Sequence, residues 1–515
     1  MVSGKPSPRF RVASSVLLAR NATLNFGANC WTLVVLLVAM PKLVHYLGDM
    51  AFGLFSIAWV TIGYLTFLDI GVNRAATKFI SEHLAAADRP AVCETVRTGI
   101  FANLSMGLAG GGAIALLAPF LIHSVFKVSG GMENQARWTF YVVALSVPVL
   151  LLQGVFRATL SSFQRFGWIN AVDAVAGTGQ WLAAGIVAWK GGGVALVVLA
   201  TVLARLAATL TYGLVLLRIL PDLRIFHTRG LHGLSKLVRF GSWVTVSQLV
   251  SPLLVYLDRV LIASFVSLGA VTLYTVPFEA MSRLRIIPSA LVGTLYPAFS
   301  ERSAGGQSSI DSLYERSVRY LMLLLLPGTL FLMVFGSDLF AVWMGTSFAA
   351  QASAVLPVLA FGVLLNGLAF VPYSLLQALG RPDLTGKFHL LELPMYVGLC
   401  ILLIPRWGIL GAAVASTSRF AVDTALLFWA TDRHCRCSLR SFWTGAFPRV
   451  LLLGVFLGIA LLSARILVHD RWTRLGLGML TAGMAFLAGC AFIVVGDERP
   501  RLGGVLRALL GQPAS

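Results

Sequence analysis

The 515-residue chain is 57% hydrophobic and only 12% charged, with 40 lysines and arginines against 21 acidic residues and a net charge of +19. An ordinary soluble domain carries about 25% charged residues, so this composition excludes a water-soluble globular protein. The basic residues are scattered through short connections rather than clustered, which excludes a nucleic-acid surface; anionic head groups and the cytoplasmic bias of lysine and arginine account for them.

About 20 consecutive apolar residues span the hydrocarbon core as a helix with every backbone hydrogen bond closed internally. Fourteen such stretches are predicted, at 17–39, 51–72, 99–122, 138–156, 168–189, 193–217, 240–264, 271–297, 318–336, 353–376, 388–404, 409–429, 450–468 and 475–495. The first follows a basic segment, but no small-x-small cleavage site precedes Pro41, so it reads as a retained span. The second ends in LDIGVNRA, which sets Asp69 and Arg74 at its cytoplasmic end as a candidate gate pair. Arg157 and Arg165 flank the junction of the fourth and fifth spans, and Lys387 the junction of the tenth and eleventh. The eleventh is short and carries Glu392 and Pro394. With the N-terminus inside, most basic residues fall on alternate, cytoplasmic segments, and both termini are expected there in an inner, multi-pass membrane location. Cys93, Cys435 and Cys437 then lie on the reducing side, and no disulfide is expected. The run His434-Cys435-Arg436-Cys437 lacks the second ligand pair of a zinc site.

Internal matches recur at near-constant spacing. LGDMAFGLFS at 47–56 pairs with LGAVTLYTV at 268–276, VPVLLLQ at 147–153 with VPYSLLQ at 371–377, and Arg205 with Arg419. They predict two six-helix halves of like orientation, 1–225 and 226–435, with 436–515 adding two helices and a tail. The fold class is therefore an all-α integral membrane protein of about 14 helices, built from two parallel repeats.

GRPDLTGKF at 380–388 fails as a phosphate-binding loop, because its spacing is one residue too long and phenylalanine stands where magnesium needs serine or threonine. HExxH is absent, and no loop is long enough to house an extracytoplasmic catalytic domain, so a transporter without an ATPase motif, cofactor or metal is expected rather than an enzyme.

LGDMAFGLFSIAWVTIGYLTFLDIGVNRAATKFISE at 47–82, FQRFGWIN at 163–170, YLDRVLIASFV at 256–266 and LYTVPFEAMSRLRIIPSALVGTLYPAFSE at 273–301 resemble the polysaccharide transporter family. That family holds the O-antigen and capsule-unit flippases, within the exporter superfamily of multidrug extruders and the lipid II flippase. The resemblance implies a V-shaped pair of bundles around a cavity that opens alternately to either side. It also implies an undecaprenyl-pyrophosphate-linked oligosaccharide as cargo, with a polysaccharide polymerase and a chain-length regulator as partners.

A charge at mid-bilayer costs about 2.5–3.5 kcal/mol on insertion scales, so it faces a cavity or a partner. Arg205, Arg283 and Arg419, then Arg259 and Arg285, are the candidate cavity cations, suited to grip pyrophosphate bidentately. Asp173, Asp258, Glu279 and Asp423 are the candidate ion-coupling or pairing acids, with Glu392 beside them. Spacing of four along a helix predicts local pairs of Glu279 with Arg283 and of Arg419 with Asp423. Asp69, Arg74, Arg157, Arg165 and Lys387 are the candidate cytoplasmic gate. Two other readings stay open: an ion-coupled multidrug extruder on the same fold, and a non-transporting scaffold of a polysaccharide-synthesis complex.

Overall fold

The computed structural model describes residues 34–224 without 70 and 129, 253–292 without 290, 307–435 and 447–493, together with 31, 295, 299 and 444. Among these residues the chain forms helices and no strand, and it divides into two compact units, Met1–Pro252 and Leu253–Ser515. The expected half boundary at 225/226 lies outside the described residues, as do most of the first expected span and the start of the seventh.

The first unit contains α1 (Val34–Leu47), α2 (Asp49–Tyr64), α3 (Val72–Ala85), α4 (Arg89–Phe120), α5 (Glu133–Ser162), α6 (Phe166–Trp189) and α7 (Val194–Ile219). The second contains α8 (253–265), α9 (Leu268–Ser282), α10 (286–289), α11 (Gln307–Trp343), α12 (Thr346–Ala352), α13 (Val355–Ala378), α14 (Pro382–Trp407), α15 (Ile409–Cys435), α16 (Phe447–Leu467) and α17 (Arg471–Ile493). Ten helices among the described residues are long and apolar enough to cross a membrane. The short eleventh expectation is one of them, extended to Asp383–Trp407. The twelfth, α15, is 27 residues long, yet it is outside that set because Arg419 and Asp423 dilute its apolar content.

The repeat is visible in where elements begin. Asp49 and Leu268, Arg89 and Gln307, Glu133 and Val355, Phe166 and Pro382, and Val194 and Ile409 open matching helices, 215 to 222 residues apart. The match extends to a defect. α2 tightens into a 3-10 turn at Leu65–Asp69, and α9 does so at the equivalent Arg283–Arg285. Neither expected span, 51–72 or 271–297, is one uninterrupted α-helix, and broken helices at membrane depth persist where protein or a cavity meets their backbone. Gly71, in the left-handed region at φ 69°, turns the chain from the first of these breaks into α3.

Local sequence sets the other ends. Asp88 accepts a hydrogen bond from Ala91 N at 3.0 Å, with proline in the first turn of α4. Ser267 does the same for Ala270 N at 3.1 Å to start α9. Before α17, Asp470 accepts from Thr473 N and Oγ1 at 2.8 and 2.7 Å, and these bonds, the backbone one first, hold its carboxyl below the usual range.

Packing within each unit follows membrane rules, with small residues at the closest approaches. Gly107 and Gly111 on α4 face α5 so tightly that a Cβ would lie 2.5 Å from Pro148 Cα and 2.5 Å from Ala144 O, respectively. Ile169 and Val172 of α6, Leu160 of α5 and Ala208, Tyr212 and Val215 of α7 form one core cluster. In the second unit α11 is the spine. Phe331, Val334 and Phe335 pack on Leu457, Leu461 and Ala464 of α16 and Leu475 of α17. Asp338 of α11 then takes Arg474 and Arg471, while Arg465 donates to Val334 O. The last two helices thus belong to the second compact unit. Outward faces are strongly apolar: Leu116, Val175, Ile466 and Leu467 are 74–84% exposed, a surface suited to lipid and not to water.

Gly107→Val is expected to destabilise the folded protein by about 1–3 kcal/mol through forced separation of α4 and α5. Gly112→Ala, where a Cβ meets nothing within 4 Å, leaves stability unchanged or raised. Thermal unfolding of the detergent-solubilised protein measures both.

Candidate functional site

The intramembrane charges sort into those consumed by the fold and those left available. Asp258 and Arg259 follow one another on α8, and both side chains are fully buried. The Arg259 guanidinium donates to Glu279 Oε1 on α9 at 3.0 Å, to Val255 O at 2.7 Å and to Asp258 Oδ1 at 3.3 Å. It lies 4.6 Å from the Phe278 ring and 5.3 Å from Tyr256, and Tyr274 donates to Asp258 Oδ2 at 2.5 Å. The Arg259 Nε has no hydrogen-bond partner among the described residues. Arg259 fastens α8 to α9. Glu279 also holds Arg283 across 3.6 Å, the local pair expected from spacing.

Arg419 departs from expectation. It pairs not with Asp423 on its own helix but with buried Glu392 on α14, at 3.6 Å, and stacks on Phe420 and Tyr396 at 4.4 and 5.4 Å. Asp423 and His389 interact electrostatically with this pair. Both carboxylate oxygens of Glu392 lack a hydrogen-bond partner among the described residues. Asp173 likewise pairs away from the mid-span arginine of its unit. It meets Arg157 at 2.9 Å and accepts from Tyr212 Oη at 2.6 Å, so α5, α6 and α7 converge on one carboxylate. Arg157 is thus tied to Asp173.

Among the described residues of the first unit, no ion pair joins one gate candidate to another. Asp69 is buried and accepts from Gly71 N at 2.9 Å, whereas Arg74 is exposed, and no ion pair joins the two. Arg165 is exposed at the start of α6. Lys387 meets Asp383 at 3.2 Å, as does Arg381, on an exposed surface.

Three cations remain open. Arg283 is 40% exposed and shares Glu279 with Arg259. Arg285, half-buried, donates Nε to Ser282 O at 3.2 Å. It lines a pocket of about 280 Å³, open space included, with Phe278, Met281, Ser282, Asn366 and Phe420. Buried Asn366 Oδ1 has no hydrogen-bond partner there. In the first unit Arg205 of α7 is half-buried, forms no ion pair among the described residues, and lies 5.7 Å from the Trp59 ring. Both open arginines of the second unit sit at the 3-10 break after α9. The aromatic partners Trp59, Phe420 and Tyr396 carry no sequence signal beyond their presence in apolar spans. Glu392 was recognisable only as an acid in a span, since its partner is on another helix.

The polysaccharide biosynthesis protein family matches residues 18–303. A putative O-antigen transporter of Shigella flexneri is 26% identical over 413 residues, 78% of this chain and 94% of that protein. A probable low-salt glycan biosynthesis flippase of Haloferax volcanii, Agl15, is 23% identical over 413 residues, 79% of this chain and 82% of that protein. Among solved structures the lipid II flippase MurJ in an inward closed conformation shares the fold, with TM-score 0.71, 11% identity and coverage of 94% of this chain and 100% of that one.

Removing one partner of a buried ion pair costs about 3–5 kcal/mol, so Arg259→Gln is expected to abolish accumulation of folded protein. Arg283→Gln, at a half-solvated pair worth about 1 kcal/mol or less, folds normally. Fluorescence-detected size exclusion of tagged variants separates the two. A family match over more than half the chain, carried on a repeated helical fold with broken second helices, shows that the chain belongs to the polysaccharide biosynthesis protein family of membrane transporters.

Proposed function

We propose that this protein is a flippase that moves an undecaprenyl-pyrophosphate-linked oligosaccharide repeat unit from the cytoplasmic to the outer leaflet, by alternating access, for surface polysaccharide synthesis. The observation that carries the reading is a set of guanidiniums short of counterions among the described residues: Arg205 without an acid, and Arg283 and Arg285 beside a shared Glu279. A buried cation without a counterion is costly unless an anion arrives, and planar guanidinium suits phosphate oxygens bidentately. The putative O-antigen transporter similar along its length supports the same cargo class.

The membrane potential supplies a direction. A pyrophosphate carries about two negative charges out of a negative-inside cell, and at about 2.3 kcal/mol per charge per 100 mV the potential favours export by about 4–5 kcal/mol. Glu392 and Asp423, two carboxyls against one Arg419, add a place to carry a proton or cation through the cycle. The polymerase that consumes the unit and a chain-length regulator are the expected partners, and in this reading both termini lie on the cytoplasmic side.

A strain lacking the gene is expected to accumulate lipid-linked oligosaccharide and to lose surface glycan, read by mass spectrometry of lipid extracts. Unchanged lipid intermediates and intact glycan would exclude the reading and favour drug export. Arg205→Gln and Arg283→Gln, each normally expressed, should restore export at least about tenfold less well than the wild type, the scale of one lost charge-assisted contact; a scaffold would tolerate both. In proteoliposomes, Glu392→Gln with Asp423→Asn is expected to flatten the dependence of transport on pH, and an unaltered profile would remove the pair from coupling.

A further inference from the structure

Arg205 stands among aromatic rings rather than acids. Trp59 of α2 faces it, and Trp181 of α6 lies 5.9 Å from Trp59, with the two indole planes inclined by 33°. Phe55, buried on α2, backs both indoles at 6.0 and 6.5 Å. Neither indole N–H has an acceptor among the described residues, and the guanidinium donates to none; all three side chains are half-buried, not sealed. The unit's intramembrane acid, Asp173, is committed to Arg157 and Tyr212. Beside Trp181, Gly185 lies one turn along the same face of α6, and a Cβ there would meet no atom within 4 Å.

This is a cluster of donors and flat apolar faces with no acceptor of its own. Half-buried donors without a protein acceptor can exchange water for the acceptor oxygens of a ligand. A ligand that completes the cluster must bring acceptor oxygens, negative charge and a face for the indoles. A pyranose ring supplies a C–H face and hydroxyls, and an attached phosphate or carboxylate supplies the anion for the guanidinium. A simple phosphate would leave the indoles unused, and a neutral sugar would leave Arg205 unpaired.

Building on the flippase reading, we propose that Phe55, Trp59, Trp181 and Arg205 form a carbohydrate subsite inside the first unit, which binds a hexose ring bearing an anionic substituent. Two parts of a lipid-linked glycan carry that chemistry: the first sugar with its phosphate, and an acidic sugar within the repeat unit. Trp59 and Trp181 stack on the ring, and Arg205 holds the anion.

The full-length protein in nanodiscs is titrated with N-acetylglucosamine 1-phosphate, glucuronate, inorganic phosphate and methyl glucoside, followed by calorimetry and tryptophan fluorescence. At least one of the first two is expected to bind about tenfold more tightly than either single-function probe, the scale of one stacking contact. Preference for the sugar phosphate assigns the subsite to the lipid-linked end of the cargo, and preference for glucuronate assigns it to the glycan. Arg205→Gln and Trp181→Leu should each weaken that binding about tenfold, with Arg205→Lys partly restoring it. Trp59→Phe keeps a ring and should lose less. Binding of inorganic phosphate equal to the sugar phosphate, equal affinity in the variants, or no binding of any probe would overturn the subsite. If that happens while a strain lacking the gene still accumulates lipid-linked glycan, the subsite fails and the flippase stands. If the strain accumulates none, the flippase reading fails and the subsite falls with it.

Discussion

A charge inside hydrocarbon must be neutralised, stacked or exposed to a cavity, and that constraint organises both halves of this protein. The Arg259 cluster shows it most fully. One guanidinium meets two carboxylates, a carbonyl and two rings, and so joins α8 to α9 where neither helix could otherwise keep its charge. Asp173 does the same for three helices of the first unit, and Asp338 ties α11 to α17 in the second. Polar contacts thus fix helices whose apolar surfaces gain little from one another in lipid.

Against this background the repeat is a scaffold used twice with different electrostatics. Arg205 and Arg419 occupy matching places on α7 and α15, and Trp181 and Tyr396 matching places on α6 and α14. The second copy surrounds its guanidinium with Glu392, while the first offers only indoles and phenylalanine. In the second unit the guanidinium lies against an acid, and in the first it lies against an indole.

α2 and α9 each tighten into a 3-10 turn at equivalent places, which leaves backbone polar groups for protein or cavity to satisfy. In the second unit that turn carries Arg283 and Arg285, so a change in helix geometry there would shift two cations together.

Apolar periodicity and length were enough to give an all-helical membrane chain, because a bilayer forces each span to close its own hydrogen bonds. The repeat was also legible, since gene-scale duplication leaves motifs such as VPVLLLQ and VPYSLLQ at constant spacing. So was the Glu279–Arg283 pair, whose partners lie one helical turn apart. Partner choice between helices was not. Arg419 chose Glu392 over the nearer-in-sequence Asp423, Asp173 chose Arg157, and Arg205 was left with Trp59. Such choices depend on which faces meet when helices pack, and no spacing along one helix records the rotation of its neighbour. Residue order alone determined how many charges the apolar spans carry; the packing of helix faces, which no single span records, decided which of those charges meet a partner.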